Sequence, residues 1–185
     1  MPPTPPTLPS QRVKVWDPLV RICHWGVAAG VAASWWTSGM WSGQQRWHER
    51  VGYTIAALIA ARLVWGLVGS RHARLTDFVV GPRRTLAYAR RMLAGTEERH
   101  RGHNPLGGWM ALALWAATAG TCLTGWLFTT DAFFGIEWVE TTHKTLAWTV
   151  VFLVPLHVAG VVFTSLRHRD NLVAAMLDGR KRPDD

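Results

Sequence analysis

The sequence predicts an all-α fold, an integral membrane bundle of four helices. Apolar residues are segregated into four stretches, tryptophans cluster near the ends of those stretches, and basic residues lie between them. A helix needs roughly 20 apolar residues to cross about 30 Å of hydrocarbon. The predicted spans are residues 22–41, 51–69, 106–130 and 145–166.

Charged side chains are almost absent from these spans, which separates them from the helices of a water-soluble protein. Arg62 is the one Asp, Glu, Lys or Arg within the four ranges. The hydrophobic content of 49% would also fit an ordinary globular domain. The membrane prediction therefore depends on the separation of apolar from charged residues along the chain. Several of the twelve tryptophans lie where aromatic belts form at membrane interfaces.

The distribution of the formal net charge of +8 predicts the topology. Basic residues concentrate before the first span, in the middle loop at 70–105 and after residue 166. By the positive-inside rule, both termini and the middle loop are cytoplasmic. The basic charge therefore indicates topology and contact with membrane lipid, and it predicts no nucleic-acid interface.

The remaining segments complete the predicted domain organisation. Residues 1–12 are proline-rich and are expected to form a disordered leader without a signal peptide, residues 13–180 the membrane domain, and residues 181–185 a tail. Residues 82–94 and 170–177 have the pattern of short amphipathic helices at the inner membrane surface. A solvated basic helix is the alternative for residues 82–94.

Local signals mark two helix starts and one packing face. Asp17 and Asn104 each precede a proline and are predicted to cap the helices that follow. Gly26 and Gly30 indicate close helix packing, and the alternative is a bulky planar group against that face beside His24. The third span contains no ionisable residue and is predicted to be a packing helix.

Histidines in the spans are the candidate functional residues, because ionisable groups at membrane depth are costly and usually functional. His143 and His157 are fourteen residues apart, which places them on similar faces and about 21 Å apart along one helix. The predicted topology puts His24 and His157 near the inner face, and His48 and His143 near the outer face. The sequence therefore predicts two histidine pairs at two levels.

Arg62 follows His48 by fourteen residues and is predicted to lie at the inner level. An unpaired guanidinium in hydrocarbon costs at least a few kcal/mol. The sequence therefore predicts either an anionic partner for Arg62 or a side chain that reaches the inner surface.

Paired histidines suit some chemistries better than others. Zinc usually takes three or four protein ligands, and a proton relay usually includes an intramembrane Asp or Glu. Haem iron takes two axial ligands from opposite sides, so two pairs favour two haems, with Arg62 available to a propionate. A histidine-lined metal or proton transporter and a membrane anchor subunit of a partner enzyme stay open as alternatives.

Several segments in order resemble one family over roughly residues 13–180: VWDPLVRICHW, HERVGY, RLVWG, GHNPLGGW and HKTLAWTVVFLVPLH. The chain is similar to the bacterial cytochrome b561 family, which includes b-type cytochrome subunits of nickel–iron hydrogenases. The resemblance implies a multi-pass protein of the bacterial inner membrane with two haems b. It also implies axial ligation by the pairs His24/His157 and His48/His143.

The resemblance further implies electron transfer across the bilayer between the quinone pool and a redox partner. That partner is a hydrogenase, a periplasmic c-type cytochrome or a small oxidant such as superoxide. For the quinone or quinol, the candidate contacts are His103 and the basic loop at 70–104. Whether the chain acts as a quinone oxidoreductase in its own right, and whether it forms a homodimer, stays open.

Overall fold

The computed structural model describes residues 13–39, 45–70, 73–74, 76, 79–100 and 102–181, and helices make up most of them. The elements in chain order are β1 (Val13–Lys14), α1 (Pro18–Ser38), α2 (Gln45–Val68), α3 (Pro82–Leu93), α4 (Pro105–Phe128), α5 (Glu137–Arg167), α6 (Leu172–Asp178) and β2 (Arg180–Lys181). The all-α prediction is confirmed. The predicted leader at residues 1–12 and residues 182–185 of the predicted tail lie outside the described residues.

Four long helices overlap the four predicted spans. Of the described helices, α2, α4 and α5 are long and apolar enough to cross a membrane. Helix α1 has 21 residues but is not among them, because three tryptophans, Arg21 and several hydroxyl side chains lower its mean hydropathy. Helix α5 begins at Glu137, well before the predicted span at 145–166, and continues through Pro155.

Both predicted helix caps are confirmed. The Oδ1 atom of Asp17 accepts a hydrogen bond from the Val20 backbone N–H at 3.0 Å. The Oδ1 atom of Asn104 likewise accepts from the Gly107 backbone N–H at 2.7 Å. In both helices a proline follows the cap, where its missing N–H leaves no intrahelical bond unmade.

Close packing explains the two glycines of α1. Helices α1 and α2 pack together, as do α4 and α5, and α2 also contacts α4. A Cβ atom on Gly26 would lie 2.8 Å from Leu58 Cδ1, and one on Gly30 would lie 2.6 Å from Ile55 Cγ1. Side chains of α2 therefore cover this glycine face, which favours the close-packing interpretation.

The substitution Gly30→Ala is expected to destabilise the α1–α2 contact by about 1–3 kcal/mol, the usual cost of overpacking. The matched control is Gly52→Ala on α2, where an added Cβ meets nothing within 4 Å. That control should be neutral or slightly stabilising, because alanine favours a helix by up to about 1 kcal/mol over glycine. Unfolding of both variants in detergent measures the difference, and equal stabilities would contradict the packing explanation.

The segments before α1 and after α6 form a cap at one end of the bundle, called here the inner cap. Strands β1 and β2 pair antiparallel, with Val13 opposite Lys181. A small apolar core lies beneath them, made of Val15, Trp16, Val20, Ala73 and Ala175, with Trp65 and Met176 packed against it. The Trp25 indole N–H also donates to the Met176 carbonyl at 3.2 Å. The two ends of the described chain therefore lie on the same side of the bundle.

Helix α3 is present where the amphipathic pattern predicted it. Tyr88 is buried, and its ring meets the His100 ring edge-on with centroids 5.3 Å apart. The Trp109 indole N–H donates to the Val80 carbonyl and to the Thr85 hydroxyl, both at 3.1 Å. These contacts hold α3 against the start of α4. Leu86 and Leu93 stay 54% and 86% exposed, so α3 retains an uncovered apolar face.

Candidate functional site

The structure brings the four predicted histidines together as two pairs. His24 on α1 faces His157 on α5, with ring centroids 6.3 Å apart and planes inclined by 56°. His48 on α2 faces His143 on α5, with ring centroids 6.2 Å apart and planes inclined by 75°. Helix α5 therefore contributes one ring to each pair. After the predicted topology, the two pairs are called here the inner pair (His24/His157) and the outer pair (His48/His143).

Backbone carbonyls of neighbouring helices hold both rings of the outer pair. His48 Nδ1 lies 3.1 Å from the Ser34 carbonyl oxygen of α1, and His143 Nδ1 lies 3.0 Å from the Thr121 carbonyl oxygen of α4. A carbonyl oxygen only accepts, so Nδ1 carries the proton in both rings. This hydrogen bond directs Nδ1 to the carbonyl and leaves Nε2 as the nitrogen that can bind a metal, an arrangement common among metal-ligating histidines.

A threonine one turn beyond each carbonyl completes the same arrangement on both helices. Thr37 Oγ1 lies 3.3 Å from His48 Nδ1, and Thr124 Oγ1 lies 3.3 Å from His143 Nδ1. Each hydroxyl donates back to its own helix, to Ala33 O or Gly120 O at 2.8 Å, so it can only accept from the histidine. This repeated unit of a carbonyl and a threonine is called here the carbonyl–threonine clamp.

Helix α4 thus does more than pack. A Cβ atom on Gly125 would lie 3.0 Å from His143 Cε1, so the glycine leaves room for the ring beside its clamp. The absence of ionisable residues from the third span predicts a packing role alone. The polar signal in this helix was a row of three threonines at three-residue spacing, Thr118, Thr121 and Thr124.

Arg62 is buried, and its guanidinium makes only some of the hydrogen bonds that it could make. The residue is 6% exposed, its Nη2 donates to the Ala73 carbonyl at 3.0 Å, and its guanidinium lies 4.8 Å from the centre of the Trp115 ring. Its Nη1 is buried and has no hydrogen-bond partner among the described residues. The side chain reaches the inner cap without reaching solvent, and one charged N–H group is left for an acceptor.

Asp17 is a carboxylate that interacts electrostatically with Arg62. Its Oδ2 accepts from the Trp65 indole N–H at 2.8 Å and from the Ser70 hydroxyl, which ties the start of α1 to the end of α2. Burial would raise the pKa of Asp17, but hydrogen bonds from Ser70, Trp65 and Val20, with the positive charge of Arg62, outweigh it and hold the pKa below its usual value. Asp17 is therefore ionised at neutral pH.

Asp17 should make stability depend on pH in the acid range. Because its folded-state pKa is depressed, its contribution is present above the unfolded pKa of about 3.9 and is lost as pH falls through the folded value. The substitution Asp17→Asn keeps a capping side chain but removes the charge. We expect a shallower loss of unfolding free energy below about pH 5 in this variant, measured by denaturant unfolding at several pH values. An unchanged acid slope would contradict the assignment.

His103 lies in the inner cap, two residues before the start of α4. Its Nδ1 atom is buried, and its ring meets the Trp16 ring edge-on at 4.9 Å. Burial, and then the positive charges of Lys181 and Arg62, lower the pKa of His103 to about 3. His103 is therefore neutral at physiological pH, and it lies within electrostatic range of His24 and His157.

Comparison with known proteins assigns the chain to a family. The family model of prokaryotic cytochrome b561 matches residues 15–179. The chain belongs to the prokaryotic cytochrome b561 family. It is a membrane b-type cytochrome that binds haem b and takes part in electron transfer. The resemblance seen in the sequence is confirmed.

A curated relative of this cytochrome is the "Probable Ni/Fe-hydrogenase B-type cytochrome subunit" of Bradyrhizobium diazoefficiens. The two proteins are 22% identical, and the alignment covers 92% of this chain and 86% of the relative. No solved structure matches the chain.

The histidine pairs of this cytochrome fit the iron of haem. A metal–imidazole bond is about 2 Å long and the ring centroid lies about 1 Å further on, so two rings on one metal have centroids roughly 6 Å apart. The observed separations are 6.3 and 6.2 Å. Within the described residues there is no group of three or more His, Cys, Asp or Glu side chains that could hold a metal ion, so a zinc-type ligand set is not present there. Two rings per site suit a metal whose other ligands come from a macrocycle.

Proposed function

We propose that the chain is a diheme cytochrome of the bacterial inner membrane that carries electrons between the quinone pool and a redox partner. The observation that supports it most is the presence of two facing histidine pairs at nearly equal ring separations, 6.3 and 6.2 Å. His24 and His157 would hold the inner haem, and His48 and His143 the outer haem. Haem b held in this way supplies a one-electron redox couple.

The protein side chains would bind and orient each haem and close its axial positions. Two histidines on each iron would leave no position for oxygen or substrate, which suits electron transfer and not ligand activation. Arg62 would bind a propionate of the inner haem through its buried, unpartnered Nη1. This accounts for a guanidinium that lies deep in the protein without a second hydrogen-bond acceptor.

The proposed topology has four spans, α1, α2, α4 and α5, with both termini in the cytoplasm. Its support is that β1 and β2 pair, which puts the two ends of the described chain on one side, and that the basic residues cluster on that same side. Helices α3 and α6 would lie at the inner membrane surface, where the exposed Leu86, Leu93 and Leu177 could contact lipid.

The proposed membrane partner is a quinone or quinol. The second partner would be a redox protein, and the name of the Bradyrhizobium relative favours a nickel–iron hydrogenase over a c-type cytochrome or a small oxidant. Anaerobic addition of quinol to the oxidised protein tests the first partner, since a competent quinone site should let the quinol reduce the haem. A haem that stays oxidised, although dithionite reduces it, would contradict quinone exchange.

Haem stoichiometry is the direct test of the proposal. Purified protein is expected to contain two haems b per chain, measured by the pyridine haemochrome assay, and to show a sharp alpha band after reduction with dithionite. One haem per chain would exclude the diheme assignment. A colourless but folded preparation would favour a histidine-lined transporter or a membrane anchor instead.

A further inference from the structure

The two histidine pairs differ in what holds their rings. Both rings of the outer pair donate an Nδ1 proton to a backbone carbonyl, at 3.1 and 3.0 Å. For the inner pair, the observed ring contacts are between His24 and His157 themselves and between His24 and Trp25, whose ring meets it edge-on at 5.2 Å. Among the described residues, neither ring of the inner pair makes a hydrogen bond.

This difference changes how strongly each histidine donates electrons to a metal. A hydrogen bond from Nδ1 to a carbonyl makes the imidazole a more basic ligand through its other nitrogen. A more basic axial ligand stabilises the ferric state of a haem relative to the ferrous state, which lowers the midpoint potential. In the outer pair both histidines make such a hydrogen bond, so both would lower the potential. Within the described part of the chain, neither histidine of the inner pair does.

Charge near the inner pair acts in the opposite direction. Arg62 is buried, as is Lys181 at 7% exposure, and both lie in the neighbourhood that His103 shares with His24 and His157. Positive charge stabilises the reduced state, which carries one more electron, and so raises a midpoint potential. The carboxylate of Asp17 offsets part of this field, since it interacts with Arg62.

We propose that the two carbonyl–threonine clamps make the outer pair the site of lower potential and that the inner pair is the site of higher potential. One-electron transfer from a haem held by the outer pair to a haem held by the inner pair would then be the downhill direction. Ser34, Thr37, Thr121 and Thr124 act as positioning residues, through His48 and His143. This inference rests on the proposed function and adds to it the order of the potentials and the direction of favourable transfer.

Redox titration of the purified diheme protein, followed by its alpha band, tests the order. Two components are expected. The variant His48→Ala, which removes an outer ligand, should retain the component of higher potential, and His24→Ala should retain the component of lower potential. The opposite pattern in a protein that binds two haems would overturn this inference alone. A native protein with one haem or none would overturn the diheme proposal together with it.

Milder variants keep the test valid if either ligand variant fails to fold. Thr37→Val and Thr124→Val remove an acceptor from the Nδ1 proton. They also remove a hydroxyl whose one proton is shared between the carbonyl at 2.8 Å and the clamping carbonyl at 3.2 or 3.1 Å. Each variant should shift the lower potential and leave the higher one in place. The matched control is Thr118→Val on α4, whose buried hydroxyl donates to the Leu114 carbonyl at 2.7 Å. A shift of the higher potential alone, or no shift in either clamp variant, would overturn the assignment.

Discussion

The substitution His143→Ala is expected to remove one haem from the protein and to leave the other in place. Helix α5 contributes one ring to each pair, and the fourteen residues between His143 and His157 place the two sites about 21 Å apart along it. Loss of one ring leaves the outer site with His48 alone, while the inner site keeps both ligands. The haem content should fall from two to one per chain, measured by the pyridine haemochrome assay.

The complementary variant His157→Ala should give the same haem content but retain the other haem. The two single variants are therefore expected to differ in the position of the remaining alpha band. His100→Ala serves as the control, because His100 contacts the Tyr88 ring and the Glu98 carbonyl and belongs to neither pair. Retention of both haems in His143→Ala, with helix content and elution volume unchanged, would contradict ligation by this residue.

The histidine pairs could be predicted from the sequence because two simple rules fix them. Helical rise sets the depth of a residue within a span, and the alternating direction of the spans decides which residues share a level. His24 and His157 came out at one level and His48 and His143 at the other, and the structure brings the rings together in those combinations. The rule gives depth but not the rotation of each helix about its axis, which packing decides.

The surroundings of the pairs were not predictable in the same way. The clamps use the backbone carbonyls of Ser34 and Thr121, and a carbonyl leaves no mark in the sequence because every residue has one. The inner cap depends on contacts between residues more than 150 positions apart, such as Trp25 with Met176. Composition alone does not identify helix α1 as a membrane span, because its tryptophans and hydroxyl groups lower its mean hydropathy. The same helix nevertheless contributes His24 to the inner pair.

The substitution Arg62→Gln is expected to lower the midpoint potential of the inner haem and to leave the outer one unchanged. The guanidinium is buried beside Trp115 and lies in the same inner region as His24 and His157, whereas the outer pair is held at the opposite level. At an effective dielectric constant of about 20, a charge interaction is worth up to about 4 kcal/mol in contact and proportionally less at longer range. Removal of the positive charge destabilises the reduced state by part of that amount. Redox titration of the purified variant measures the shift.

A structural role alone would give a different result, and Arg62→Lys separates the two. Glutamine keeps a polar N–H donor but carries no charge, whereas lysine keeps the charge and loses the planar group that lies over Trp115. If the charge acts on the inner haem, lysine should stay near the native potential and glutamine should not, whatever their unfolding free energies. If Arg62 only joins α2 to the inner cap, both variants should be less stable and both potentials should remain at their native values. Equal shifts of the two haems in Arg62→Gln would contradict a local partner, because a charge at the inner level acts weakly on a site about 21 Å away.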